Sequence, residues 1–328
     1  MANPNEQVAE QPPKASKVII AVNTYDGVGY FVDSEGRFLF KKQFEGVSKF
    51  TEGLACVKQN DKWGFINTKG EIVIPCIYDG ARNFSEGLAR VKQNRKWGFI
   101  NTKGEVVVPC IYDLVGYFSE GLAYVKQNGK FGFVNTKGEQ VIPCIYDDAW
   151  RNFSEGLALV KQNDKWGFIN TKGEVVIPCI YDDAWSFSEG ISRIEQNGKE
   201  GYVNTKGEVV VPCIYDNTWW FSEGFARVEQ NDKGGFINTK GEVVIPCFYD
   251  EAWDFSEGLA YVEQNGKYGY INTQGEVIAP CIYDDAESFS EGIARVEQNG
   301  KCSIINTQGK VIVAECNNYD TSWCVVEL

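Results

Sequence analysis

A unit of about 34 residues recurs along nearly the whole chain. A chain built this way folds as a stack or ring of equivalent modules, not around one central core. One copy is Gly156 to Gly190, GLALVKQNDKWGFINTKGEVVIPCIYDDAWSFSEG. Within it, Leu157 to Val160 and Lys165 to Asn170 read as extended runs separated by Asn163-Asp164. Sister copies place Asn128-Gly129, Asn197-Gly198, Asn265-Gly266 or Asn299-Gly300 at this point. These pairs tolerate positive φ at both positions, as a type I′ hairpin turn requires. A second turn falls at Thr171-Lys172-Gly173, with Gly173 expected in the left-handed region. The β-branched run Glu174 to Ile177 follows and is expected to stop at Pro178, because proline donates no ladder hydrogen bond. Each unit is therefore predicted to hold a three-stranded antiparallel meander. The remainder, Cys179 to Gly190, is expected to cross back over the sheet, with room for a fourth short strand, and to bury Ile180 and Phe187. No window has useful helical periodicity, so the fold class is all-β.

The copies count out to nine. The residue opening the second long strand reads Val28, Trp63, Trp97, Phe131, Trp166, Glu200, Gly234, Tyr268 and Cys302. Glycine follows in every copy but the last, where Ser303 stands. Three strands in 34 residues are few for a propeller blade, so the expected architecture is an open β-solenoid of nine ~34-residue antiparallel meander units. The alternative is a closed propeller-like ring. It draws support from copies that begin on a strand at Val18 and from the apolar end Trp323, Cys324, Val325, Val326 and Leu328. Residues 1–17 are polar, carry three prolines and are expected to form a disordered tail, leaving 18–328 as a single repeat domain. The tail lacks the apolar core of a signal peptide, and no later run approaches the ~20 apolar residues of a spanning helix. A cytoplasmic protein is the expectation.

Seven cysteines (Cys76, Cys110, Cys144, Cys179, Cys213, Cys247 and Cys281) follow a proline at one place in the unit. An odd-numbered row in a long chain is read as small apolar side chains, with neither a disulfide framework nor a metal site.

The sequence Lys-Trp-Gly-Phe-Ile-Asn (Lys165 to Asn170), followed by Lys-Gly-Glu, a hydrophobic strand, Pro and Tyr-Asp, resembles the WG (KWG) repeat family, best known from bacterial proteins. The resemblance covers nearly the whole chain. It implies an all-β repeat protein whose role is binding. The copies at Glu200, Gly234 and Cys302 lack the family's tryptophan.

The chain contains no histidine, which excludes Ser-His-Asp, Cys-His and His-metal mechanisms. No phosphate-loop or dinucleotide fingerprint appears. Acidic pairs such as Asp147-Asp148, Asp182-Asp183 and Asp284-Asp285 recur from unit to unit and read as acidic turns. The expectation is a protein that is not an enzyme and has no cofactor. Charge is uneven: residues 1–164 carry 20 Lys+Arg and 19 Asp+Glu, whereas 165–328 carry 12 and 26. Part of the change is one position, where Lys58, Lys92, Lys126 and Lys161 give way to Glu195, Glu229, Glu263 and Glu297. The acidic half disfavours nucleic acid and suits a basic partner; no membrane partner is expected.

The candidate ligand surface is a stripe four residues after each Tyr-Asp tyrosine. It comprises Trp150, Trp185, Trp219 and Trp253, with Asp148, Asp183, Glu251 and Asp254 beside them. Aromatic faces next to carboxylates suit a basic or amphipathic peptide. The leading function is thus a non-catalytic scaffold for a protein or peptide partner. The alternatives are a self-assembling, filament-forming protein associating through its end strands, and a carbohydrate or cell-surface binding module.

Overall fold

The computed structural model describes residues 18–25, 27–150 and 153–316. The expected disordered tail and the apolar end from Trp323 onward lie outside them. The described residues form one two-stranded sheet and eight four-stranded antiparallel meanders, nine sheets for nine repeats; none closes into a barrel. They part between Ile145 and Tyr146 into two compact units. Within each unit successive sheets follow in chain order, as in a stacked β repeat.

The sheet of residues 148–181 is representative. Its first strand, Asp148–Ala149, is two residues long. The others are Leu157–Gln162, Lys165–Asn170 and Val175–Tyr181. The turn Asn163-Asp164 has φ of 51° and 60°, and Gly173 has φ of 83°, as the turn chemistry predicts. Asn170 builds the second turn: its Oδ1 accepts from the amides of Lys172 and Glu174, both at 3.0 Å.

Proline does not end the fourth strand. The strand runs through Pro178 to Tyr181 along the sheet edge, where an absent N–H costs nothing. Phe168 pairs with Ile177 and Trp166 with Tyr181, so two extra residues bulge out around Pro178. Gly167 lies beneath that bulge. A Cβ there would stand 2.5 Å from the Ile177 carbonyl oxygen, 2.6 Å from the Cys179 nitrogen and 2.7 Å from the Pro178 carbonyl carbon. Glycines 64, 98, 132, 201, 235 and 269 sit under the same bulge. In the last copy Ser303 replaces the glycine, Ala314 replaces the proline, and the two pair directly.

The core lies between successive sheets. Phe168 of one sheet meets Phe187 of the following link at 4.8 Å between ring centroids, and Phe65–Phe84, Tyr202–Phe221 and Tyr270–Phe289 repeat the contact. Ile177, Tyr181, Ala184 and Ile194 join the same cluster. Phe187 is buried as expected, but Ile180 is 47% exposed. Alternation from the buried Ile177 puts Ile180 outside while Tyr181, paired with Trp166, goes in.

Polar clips join one repeat to the next. Asp182 pairs with the Lys165 ammonium and accepts at 2.8 Å from the amide of Asn197 in the following hairpin turn. Asp79, Asp216, Asp250 and Asp284 do the same. Glu155 has φ of 53° in the two-residue Glu-Gly turn, and its carboxylate accepts from Gly190 N, 2.9 Å away in the next such turn. Glu223 reaches Glu257 N and Gly258 N, each at 2.8 Å. Ser154 Oγ donates to Phe187 O at 3.0 Å. A glutamate with positive φ is uncommon; here the conformation is coupled to a bond with the neighbouring repeat.

The seven-cysteine row is half-buried and free, and Cys179 Sγ donates to Val160 O at 3.7 Å. Burial raises each thiol's pKa. Cys302, outside that row, is disulfide-bonded.

Two tests follow from these contacts. Gly167→Ala is expected to cost ~2–4 kcal/mol, because the added Cβ meets backbone with nowhere to go. Gly190→Ala, at φ 79° in open space, should cost only ~1 kcal/mol. Equal losses on urea denaturation would refute the bulge argument. The second test concerns acid. The Lys165 ion pair, with help from Asn197 N, lowers the pKa of Asp182, and the equivalent aspartates are lowered alike. A depressed folded pKa contributes stability above the unfolded value that is lost as pH falls through the folded one. Melting temperature should therefore drop below about pH 4, and Asp182→Asn should flatten that dependence.

Candidate binding face

The four tryptophans follow directly on the short first strands of successive sheets. Each is fixed by its own amide, which donates to the third residue of the second strand. Trp150 N reaches Leu159 O at 2.9 Å; Trp185, Trp219 and Trp253 reach Arg193 O, Arg227 O and Tyr261 O at 3.1 Å. That third residue decides how the indole lies. The Arg193 guanidinium stands 4.3 Å from the Trp185 ring centroid and that of Arg227 3.6 Å from Trp219. Trp253 stacks on Tyr261 at 4.4 Å and 12°. Trp150 is 52% exposed, and the other three are half-buried. None of the four rings is core.

The arginines tie the face together. Arg193 Nε donates to Thr218 Oγ1 at 3.1 Å, its Nη2 pairs with Glu200 at 2.9 Å, and its guanidinium lies 5.8 Å from Trp220. Arg227 donates to Ala252 O. Burial lowers the Arg227 pKa, against the opposing pull of Asp254, Glu251 and Glu229. Arg90 repeats the arrangement in the first unit, 3.6 Å from Tyr117 and donating to Val115 O at 3.2 Å. Of the predicted carboxylates, Asp148, Asp183, Glu251 and Asp254 are all exposed. Asp148 and Asp183 each accept from the amide of the next residue, Ala149 or Ala184, at 2.8 and 2.9 Å. Glu251 and Asp254 are brought toward Arg227 and Trp219.

The lysine-to-glutamate position and the repeat-tryptophan position are cross-strand partners. These positions face each other across the long hairpin: Lys58 pairs with Trp63, Lys92 with Trp97, Lys126 with Phe131 and Lys161 with Trp166. In three of these pairs the ammonium lies over the ring, at 5.6, 4.5 and 5.6 Å. In the later copies Glu195 faces Glu200, Glu229 faces Gly234, Glu263 faces Tyr268 and Glu297 faces Cys302. Glu200 fills its slot as a hydrogen-bonded carboxylate, with Thr218 N and Oγ1 both at 2.7 Å. Gly234 leaves its slot open. A cavity of about 350 Å³ results, walled by Trp219, Arg227, Glu229, Asp232, Glu251 and Ala252.

Sequence reasoning missed three features. The arginine row under the tryptophans was visible as Arg90, Arg193, Arg227 and Arg295, recurring at one position. The open slot was signalled by glycine where other copies carry an aromatic. The outward placement of apolar residues on the edge strands, such as Val175 at 58% and Ile180, was not read, although Ile180 is out of phase with the buried Ile177 and Tyr181.

Among the described residues no cluster of three or more ligating side chains is placed to hold a metal, and no helix is long and apolar enough to cross a membrane. The model of the WG containing repeat matches eight consecutive copies, at residues 31–63, 63–97, 97–131, 131–166, 166–199, 201–233, 235–268 and 268–302. The chain belongs to this family. No curated protein matches it. Solved structures with some likeness include a eukaryotic initiation factor, 13% identical, with 81% of this chain and 85% of that one covered and a TM-score of 0.38. Dihydro-heme d1 dehydrogenase NirN is 12% identical over 84% and 74%, with a TM-score of 0.34. Hsv2p of Kluyveromyces lactis is 8% identical over 67% and 89%, with a TM-score of 0.30. These values carry no functional argument.

The depth of the rings gives a direct test. Trp150→Ala should cost less than ~1 kcal/mol, as surface changes do. Trp166→Ala, at a ring that is 8% exposed, should cost ~3–5 kcal/mol through the cavity left behind. Guanidinium denaturation of both variants measures the difference, and similar large losses would reassign the row to the core.

Proposed function

We propose that this chain is a non-catalytic scaffold whose tryptophan face binds a basic or amphipathic polypeptide. The supporting observation is the combination of half-exposed indoles, held in one register on four successive sheets, with exposed carboxylates beside them. Each ring is oriented by a backbone bond and by an arginine or tyrosine partner at three of the four positions, so little ordering cost remains for binding. Aromatic anchors in a negative field suit cation–π contact and apolar packing against lysine- or arginine-rich segments.

Self-assembly is a second reading. It is favoured by the outermost strand of the last sheet, Val311–Cys316, where Val311, Ile312 and Val313 are 43–50% exposed on an edge that no further described strand pairs. Molecular size that grows with concentration would support it.

The leading reading is tested with an array of short basic, amphipathic, neutral and acidic peptides. Basic and amphipathic members should bind, and Trp185→Ala or Trp219→Ala should weaken that binding by up to ~2 kcal/mol with the fold intact. Binding indifferent to peptide charge, or unchanged in both variants, would overturn the proposal.

A further inference from the structure

The cavity at Gly234 carries a more specific inference, which rests on the reading above and deepens it. Its shape comes from the repeat: every sister copy places a larger side chain here, and in Trp63, Trp97 and Trp166 that side chain is a planar indole. The indole contacts of sister copies show what walls the space. A Cβ on Gly46 or Gly80 would meet the rim of Trp63 or Trp97 at 3.4 or 3.6 Å, with Lys58 or Lys92 alongside. The equivalents around Gly234 are Asn217 and Glu229, which face each other; Glu229 lines the cavity together with Glu251 of the next sheet.

The chemistry is therefore inverted. Where sister copies set a cation over a ring, this copy sets carboxylates around an empty slot. Asp250 is neutralised by Lys233 and by the Asn265 amide at 2.6 Å. Among the described residues Glu229 receives a single 3.3 Å bond, from Asn217 Nδ2, and Asp232 and Glu251 are exposed. Against these three carboxylates stands one cation, Arg227, already placed over the Trp219 ring and donating to Ala252 O. The slot thus favours a cationic group that is flat and apolar on its faces.

We propose that the Gly234 slot is a pocket for an arginine side chain of the bound polypeptide. The guanidinium is planar like the missing indole and presents a fork of donors that matches Glu229 and Glu251. An ammonium has the charge without the plane. Citrulline keeps the plane and loses the charge.

Calorimetric titration with a capped peptide of glycine and serine carrying one central arginine, and with its lysine and citrulline counterparts, tests this on the full chain. The arginine peptide should bind about tenfold tighter than either counterpart. Gly234→Trp, which restores the sister residue, should abolish that preference. Its Cβ falls 3.1 Å from Ala252 Cβ, so the sheet has to yield by a few tenths of an ångström. Should this variant melt early, Glu229→Gln with Glu251→Gln gives the same readout without adding bulk. If the arginine peptide binds the filled and neutralised variants as it binds the parent chain, the pocket assignment is wrong and the broader reading stands. If no basic peptide binds the parent chain, both fall.

Discussion

The contact between one glycine and a proline-containing bulge governs this fold. Two extra residues at Pro178-Cys179 must be accommodated on a strand paired to its neighbour, and they fit because Gly167 presents no Cβ. A bulge of two residues preserves the side-chain alternation of the edge strand, so Ile177 and Tyr181 both face inward and Ile180 outward. Tyr181 then joins the layer between sheets, and the aspartate after it lies beside Lys165 and the next hairpin. The tryptophan position depends on the same sequence of contacts, since it follows the short strand that starts two residues beyond Tyr181. The last copy shows the coupling from the other side. Once Ser303 stands where glycine was, the proline is gone and the strands pair in direct register at that point.

Repeat is joined to repeat by two different means. Apolar burial between sheets is strong and undirected: it holds Phe168 against Phe187 and allows some sliding. The hydrogen-bonded clips supply register. Asp182 to Asn197 N fixes one end of the following sheet, and Glu155 to Gly190 N fixes the other. Exposed ion pairs contribute little stability in water. Their value here lies in repetition: the aspartate clip recurs from Asp79 to Asp284, and the glutamate clip at Glu52, Glu155, Glu223 and Glu257, so the offset between sheets is set locally.

Much of this was legible in the sequence. The repeat period, the type I′ turns, the left-handed glycines and the all-β class follow from local chemistry, because each depends on residues within a few positions of one another. The glycine–proline coupling spans two strands and was hidden, although Ser303 and Ala314 departing together in one copy was a usable signal. The register of the tryptophan row was legible and its depth was not, since depth depends on whether Leu159, Arg193, Arg227 or Tyr261 lies beneath the ring. The fourth strand was half-read: the sequence places a proline at an edge, but whether the strand stops or bulges depends on the partner glycine.

Surface charge and the tryptophan signature, read separately along the chain, are one property of a cross-strand pair. A two-residue turn at Asn163-Asp164 places Lys161 opposite Trp166, so selection on either residue acts on the other. Over Trp97, Phe131 and Trp166 a lysine stem covers the ring and its ammonium lies over the face. Once the ring is replaced by Glu200 or Gly234 the lysine has nothing to cover, and glutamate stands in its place. Part of the acidity of the second half thus lies beside Trp185, Trp219 and Trp253, which remain half-exposed. The glutamate stands in four successive copies, in one of them opposite a retained ring, Glu263 facing Tyr268. It adds negative charge on the side of the sheets where the aromatic row and the Gly234 slot lie.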